Sequence, residues 1–288
     1  MLQILDTISD PGSAHKPNED AFGHGRSHAW VIDGATGVAD SELLDGPSDA
    51  HWLARTAGAL FAEQAELYGG DLAGLTRAAI EEMACRFAAG RSRAPNGRYE
   101  LPSAAMMMVH SDGANIHCAN FADCRLALLA DDGETVILGD HHQDREAASK
   151  ARTASLLSKI AEGDDPFASP DIMRFLRRAR DYQNREDGYW ILGLDPCAVD
   201  FMRSWTLPLT KPVTGLLMSD GFAAIAYDYE RIKPADLVAR TLDEGLAAIV
   251  QAIRGVERED DPRMRRYPRF KCCDDATAVL FRAVPATL

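Results

Sequence analysis

Two textures of apolar residue alternate along the chain. Short, nearly continuous runs at residues 2–8 and 28–32 predict strands, the second (His-Ala-Trp-Val-Ile) stopping abruptly at Asp33-Gly34. Residues 48–68 and 71–89 carry apolar positions at helical spacing instead. Ser48 and Asp71 stand as their capping residues, and Gly69-Gly70 forms the break between them. Between 104 and 139 the texture returns to strands at 105–109, 116–121, 126–129 and 135–138. The Asp112-Gly113 and Asp132-Gly133 turns mark this region as an antiparallel meander. Helical patterns at 143–161 and 169–183 flank a polar turn around Gly163-Asp164-Asp165-Pro166. Strands follow at 189–194, 201–207 and 214–218. Residues 233–254 read as one amphipathic helix with Leu237, Leu242, Leu246, Ile249, Val250 and Ile253 on its apolar side. A charged stretch at 257–271 predicts an exposed loop before a last strand at 276–281. Strands and helix pairs come in clumps, which favours α+β packing in a single domain over a doubly wound parallel sheet.

Composition narrows the function. The 288 residues are 46% hydrophobic and 26% charged, as in ordinary globular proteins, which excludes wholesale disorder. Lys+Arg number 31 against 44 Asp+Glu, a formal charge of −13, so a nucleic acid is not the expected partner. No run approaches the ~20 apolar residues of a membrane span, and the N-terminal residues lack the basic and long apolar regions of a secretory signal. The six cysteines show no zinc-type spacing and are expected to be reduced thiols, Cys272-Cys273 included, in a cytoplasmic protein.

The acidic residues carry the chemistry. Asp33-Gly34 and Asp220-Gly221 each end a strand that is apolar nearly throughout, with no second strand at hairpin distance. Asp123 closes another apolar run, Asp274-Asp275 opens the last strand, and Glu19-Asp20 precedes Ala21-Phe22. Strands of this kind belong to a buried sheet, so these carboxylates collect at one rim of the core. Carboxylates gathered there repel one another and need protons or cations. Hard divalent ions with oxygen ligands, Mg²⁺ or Mn²⁺, are the natural partners. Two such ions ~3.5–4 Å apart activate a shared water for in-line attack on phosphorus.

In this order the motifs resemble the metal-dependent protein serine/threonine phosphatases, type 2C (the PPM family), in a bacterial-type form. Asn18-Glu19-Asp20 is similar to the family's Asn-Glu-Asp. The stretch from Val31 to Gly37 resembles its Val-Φ-Asp-Gly-x-x-Gly, where Φ is apolar, and the stretch from Ala119 to Arg125 its Ala-Asn-x-Gly-Asp-Ser-Arg. The stretch from Leu217 to Phe222 resembles Φ-Φ-Ser-Asp-Gly-Φ, and that from Asp274 to Val279 Asp-Asn-x-Thr-x-Φ. The resemblance covers almost the whole chain. It implies a four-layer αββα sandwich of two mainly antiparallel sheets flanked by helix pairs, one phosphatase domain over 1–288, and a variable insertion at about 143–187. It implies two or three Mn²⁺ or Mg²⁺ ions. Asp33 would bridge two of them with the Gly34 carbonyl on one, Asp220 and Asp274 would complete a shell, and Asp123 would serve a third. Glu19 and Asp20 would orient waters beside Asp33. The implied activity is hydrolysis of phosphoserine and phosphothreonine on a protein phosphorylated by an opposing kinase.

The chain departs from the family pattern at several positions. His15, followed by Lys16, stands where the family has a phosphate-gripping Arg, so either these two bind phosphate or another Arg takes the role. Ala122, Cys124 and Asp275 replace Gly, Ser and Asn, and Ala35 replaces the His of some members. Two rival readings keep the fold: a non-catalytic protein that binds a phosphorylated partner, and a two-metal phosphatase of small phosphate esters. Other features have plain structural readings. The basic run 174–180 is either a solvated helix face or a site for an anion. Asp140-His141-His142 reads as a turn, Met106-Met107-Met108 as core, and Trp30 and Trp190 fall within apolar strand runs and need no functional explanation.

Overall fold

A computed structural model describes residues 2–139, 151–160 and 165–286. Among the described residues ten strands form two antiparallel sheets. The first runs in the order β1 (Leu2–Asp10), β10 (Ala276–Ala283), β9 (Val213–Met218), β6 (Arg125–Ala130), β7 (Thr135–Leu138). The second runs β2 (Asp20–His24), β3 (His28–Gly34), β4 (Ala104–Ser111), β5 (Asn115–Phe121), β8 (Arg203–Pro208). Alternation along the strands sorts side chains into three apolar layers. Met107, Val109 and Val31 meet Leu126, Leu217, Val279 and Phe281 between the sheets. Trp30, Ile32, Met106 and Met108 point outward against α1 (Asp49–Tyr68) and α2 (Leu72–Gly90). Leu216, Met218, Ala278 and Leu280 point the other way, against α4 (Asp220–Tyr227), α5 (Leu237–Glu244) and α6 (Leu246–Gly255). Both sheets are thus covered on both faces, which is why their strands read as continuous apolar runs. The four-layer α+β sandwich is the architecture expected from the motifs.

Ser48 and Asp71 cap α1 and α2 as expected, accepting from the backbone N–H of His51 and Gly74. Three elements differ from the sequence expectation. The apolar run 189–194 makes only isolated bridges, because the Asn184 side chain accepts the Ile191 N–H and its N–H bonds to the Tyr189 carbonyl, folding the segment back on itself. The long helix at 233–254 breaks at Gly245, whose φ of 86° and ψ of 155° suit glycine alone, and Leu242 is left exposed. β8 starts at Arg203 because Pro196–Phe201 is a 3₁₀-helix capped by Asp195. The charged stretch after α6 is tightly held. The Asp261 carboxylate accepts the N–H groups of Arg265, Arg266 and Tyr267 and pairs with Arg269 at 2.9 Å.

Of the insertion, residues 151–157 are helical and α3 (Pro170–Arg180) docks on the loop after β3. Asp140, His141 and His142 lie outside the described residues. No helix among the described residues is long and apolar enough to cross a membrane.

Candidate metal and phosphate site

β3 delivers Asp33 to one end of the sandwich, where its register partner on β2 is Asp20. The Asn18 side chain accepts the Asp20 N–H at 2.9 Å and donates to Ser9 Oγ, fixing the turn into β2. Glu19 is tied on both carboxylate oxygens, accepting from Ser48 Oγ at 2.7 Å and from Thr36 Oγ1. Its carbonyl accepts the Gly34 N–H, and a Cβ on Gly34 would stand 2.4 Å from that carbonyl oxygen. Only glycine permits this approach.

The first sheet contributes the other acids. Ser219 and Thr277 exchange backbone and hydroxyl hydrogen bonds that lock β9 to β10, so Asp220 and Asp274 leave neighbouring strand ends together. A Cβ on Gly221 would lie 2.1 Å from the Asp275 carbonyl oxygen, so α4 starts hard against that strand. Asp275 uses both carboxylate oxygens as acceptors, for Gly12 N–H at 2.9 Å and Glu19 N–H at 2.7 Å. An Asn would turn an amide N–H toward one of them, which accounts for the Asp here. Asp123 sits in the β5–β6 turn. Asn120 clamps that turn by donating to the Met106 and Cys124 carbonyls, and Ala122 enters it with φ of 57°.

Asp33, Gly34, Asp123, Asp220 and Asp274 line one cavity of about 490 Å³. Glu19 and Asp20 stand behind that lining. His15 and Lys16 are outside it: the His15 N–H bonds to Ser13 Oγ, and the Lys16 ammonium lies 5.7 Å from the Phe167 ring centre. Three basic residues not assigned from sequence do line the cavity, Arg180 from α3, Arg269 and Lys271. Arg180 ends the basic run that the sequence singled out. Lys271 had only its place three residues before Asp274 as a signal.

Burial dominates the electrostatics. It pushes the carboxyl of Asp33 well above the usual range, and Asp220, Asp20, Asp123 and Asp274 push it further. Burial also raises Asp20, against a hydrogen bond from Thr277, and among the described residues its Oδ2 has no hydrogen-bond partner. Asp123 is raised by burial, with Arg125 opposing. Asp220 rises to about 7 through burial and then through Asp274 and Asp123, and it shares a hydrogen bond with Asp33 that one of the two must be protonated to make. Burial alone would lower Lys271, but Asp274 at 2.8 Å, Glu19 and Asp33 hold it charged. Among the described residues no three His, Cys, Asp or Glu side chains stand at the spacing that grips an ion. Lys271 on Asp274 does part of the balancing that a cation would do.

The protein phosphatase 2C family profile matches residues 13–253, from the N-terminal motif past Asp220. The chain belongs to the protein phosphatase 2C family. No curated protein sequence matches it. Solved structures share the fold at low identity. The Mycobacterium tuberculosis serine/threonine phosphatase PstP/Ppp is 15% identical, with 99% of each chain covered and a TM-score of 0.56. The PstP catalytic domain in complex with two manganese ions is 16% identical, covering 99% of this chain and 100% of that one, at 0.56. The Mycobacterium smegmatis phosphatase MsPP in complex with cacodylate is 18% identical over 99% and 100%, at 0.53.

Proposed function

We propose that this member of the protein phosphatase 2C family hydrolyses phosphoserine and phosphothreonine monoesters on proteins and depends on Mn²⁺ or Mg²⁺. One observation carries the reading: four acidic side chains from four separate segments, Asp33, Asp123, Asp220 and Asp274, meet in one cavity with fewer cations than acids. The donor set fits a hard divalent ion, being oxygen throughout, with a buried unpartnered Asp20 Oδ2 beside it and a Gly34 backbone pressed close. The two manganese ions of the related PstP domain support the same count.

Asp33, the Gly34 carbonyl, Asp220 and Asp274 would hold two ions, and Asp123 with Asp220 a third. When bound, the ions lower the pKa of a shared water and offset the charge of the phosphoryl oxygens. The chain's own residues do the positioning. Glu19 braces the Asp33–Thr36 turn against the α1 cap, and Asp275 holds the Glu19 backbone in place. Ala35 offers no proton donor, so the leaving alcohol takes its proton from solvent in the cavity.

The test uses the full chain with p-nitrophenyl phosphate. Turnover should require Mn²⁺ and stop on adding EDTA, and Asp33→Asn should lose activity about a hundredfold or more while staying folded. Full activity in Asp33→Asn would sink the reading. The Lys271–Asp274 pair favours a second reading, a phosphate-binding member without turnover. Mn²⁺ binding with no hydrolysis of any of several phosphopeptides would select it.

A further inference from the structure

We infer that Arg180 is the residue that grips the substrate phosphate, taking the place of the arginine missing near residue 15. The inference rests on the phosphatase reading above for the substrate class, a phosphate monoester dianion. It is carried by how the α3 arginines are satisfied. Arg174 pairs with Asp171 at 3.0 Å. Arg177 donates to the Val38 carbonyl and pairs with Asp40 at 2.5 Å. Arg180 lies deepest, and its only hydrogen bonds among the described residues go to two backbone carbonyls, Thr36 at 2.9 Å and Ala35 at 3.4 Å. Those carbonyls hold the guanidinium in place without neutralising it.

The position is specific. Ala35 and Thr36 directly follow the Asp33-Gly34 pair, so the guanidinium is pinned beside the acid cluster and lines the same cavity. Burial lowers its pKa, with Tyr189 and Glu19 opposing, and among the described residues no carboxylate pairs with it directly. A guanidinium has five N–H donors in a planar fork, and two carbonyls leave donors over for a bidentate phosphate. Lys271 and Arg269, the other cations in the lining, are committed to Asp274 at 2.8 Å and to Asp261 at 2.9 Å. His15 and Lys16 lie outside the lining. A dianion entering the cavity therefore finds one uncommitted fork, presented from a helix that Arg177 has already stapled down.

The experiment compares the full chain with Arg180→Met and Arg180→Lys, in the presence of Mn²⁺. Three quantities are read: the affinity for inorganic phosphate by calorimetry, kcat and KM on p-nitrophenyl phosphate, and the affinity for Mn²⁺. Arg180→Met should weaken phosphate binding and raise KM by about tenfold or more, with Mn²⁺ affinity unmoved. Arg180→Lys keeps the charge, guards against a folding defect, and should recover part of the loss without the fork. If Arg180→Met instead lowers kcat or Mn²⁺ affinity and leaves KM and phosphate affinity alone, Arg180 only staples the 35–36 loop and the assignment falls. It also falls if His15→Ala or Lys16→Ala carries the tenfold loss. Phosphate binding by the parent chain that Arg180→Met abolishes, with no turnover in either, would uphold Arg180 and reject the catalytic reading. No phosphate binding by the parent chain rejects Arg180 outright.

Discussion

The two ends of β3 make opposite use of the same burial. At one end His28 faces His110 across the strand pair with ring centres 4.3 Å apart, and His110 stacks on His117 at 5.8 Å. At the other end, about 17 Å along the strand, Asp33 faces Asp20. Burial pushes His28 down and His110 down to about 4, with the neighbouring imidazoles helping and Glu66 and Asp112 opposing. Burial pushes Asp33 and Asp20 up and Asp220 up to about 7. Each end prefers its neutral form. For imidazoles that form already prevails at pH 7, so the histidine end is at rest and asks for no ligand. For carboxyls it does not prevail, and only the acid end is left needing a cation. A buried cluster marks a functional site when its preferred protonation state conflicts with the ambient pH.

That contrast gives the largest stability effect. In metal-free protein Asp220, raised from 3.8 to about 7, contributes stability that is full below pH 4 and lost as pH rises through 7. Asp33 and Asp20 add to it with the same sign. His110, lowered from 6.5 to about 4, contributes stability that is full above pH 6.5 and lost as pH falls through 4. The two arms oppose each other over the same interval, but three carboxyls feed the acid arm, so the parent chain in EDTA should lose Tm as pH rises from 4 to 7. Asp220→Asn should remove part of the acid arm and make that fall shallower. His110→Phe should expose the acid arm, with Tm falling from pH 4 to 7. The Asp220 and His110 shifts are each worth at most about 3–4 kcal/mol, several degrees in Tm. Adding Mn²⁺ should flatten the acid arm alone. Profiles that do not separate between the two variants would remove the contrast.

How much of this was legible in the sequence follows from how local each interaction is. Asn18 and Ser219 act on backbone groups at strand ends next to the acids, so their motifs announce the site. The αββα layers were legible because strands covered on both faces read as unbroken apolar runs. Arg180 and Asp275 were not, since Arg180 bonds to carbonyls 144 and 145 residues away and Asp275 to N–H groups more than 250 away. Spacing holds no trace of such pairs. Residues 189–194 misled because Asn184, not a neighbouring strand, takes the Ile191 N–H and the Tyr189 carbonyl. Gly245 was a visible break that the helical pattern on either side outweighed.

The acid end also carries its own counter-ion, and the histidine end needs none. Lys271 on Asp274 must be displaced before that carboxylate can serve a metal. Lys271→Met should therefore tighten Mn²⁺ binding by about fivefold, roughly 1 kcal/mol, in a calorimetric titration. Unchanged or weaker binding would mean that Lys271 does not compete for Asp274.

The smallest difference between the ends is in the backbone. Ala122 holds a φ of 57° to present Asp123, whereas neither His28, His110 nor His117 departs from ordinary strand geometry. A left-handed conformation costs an L-residue about 1–2 kcal/mol. Glycine would escape that cost but give back about 0.4–1 kcal/mol through a freer unfolded chain. Ala122→Gly should thus stabilise the protein by about 0.5–1 kcal/mol, seen as a higher urea midpoint at unchanged slope. The gain should be the same with and without Mn²⁺, since it arises in the turn and not in the carboxylates. A loss of stability would mean that the Ala122 methyl, packed against the inter-sheet core, is worth more than the strain it imposes.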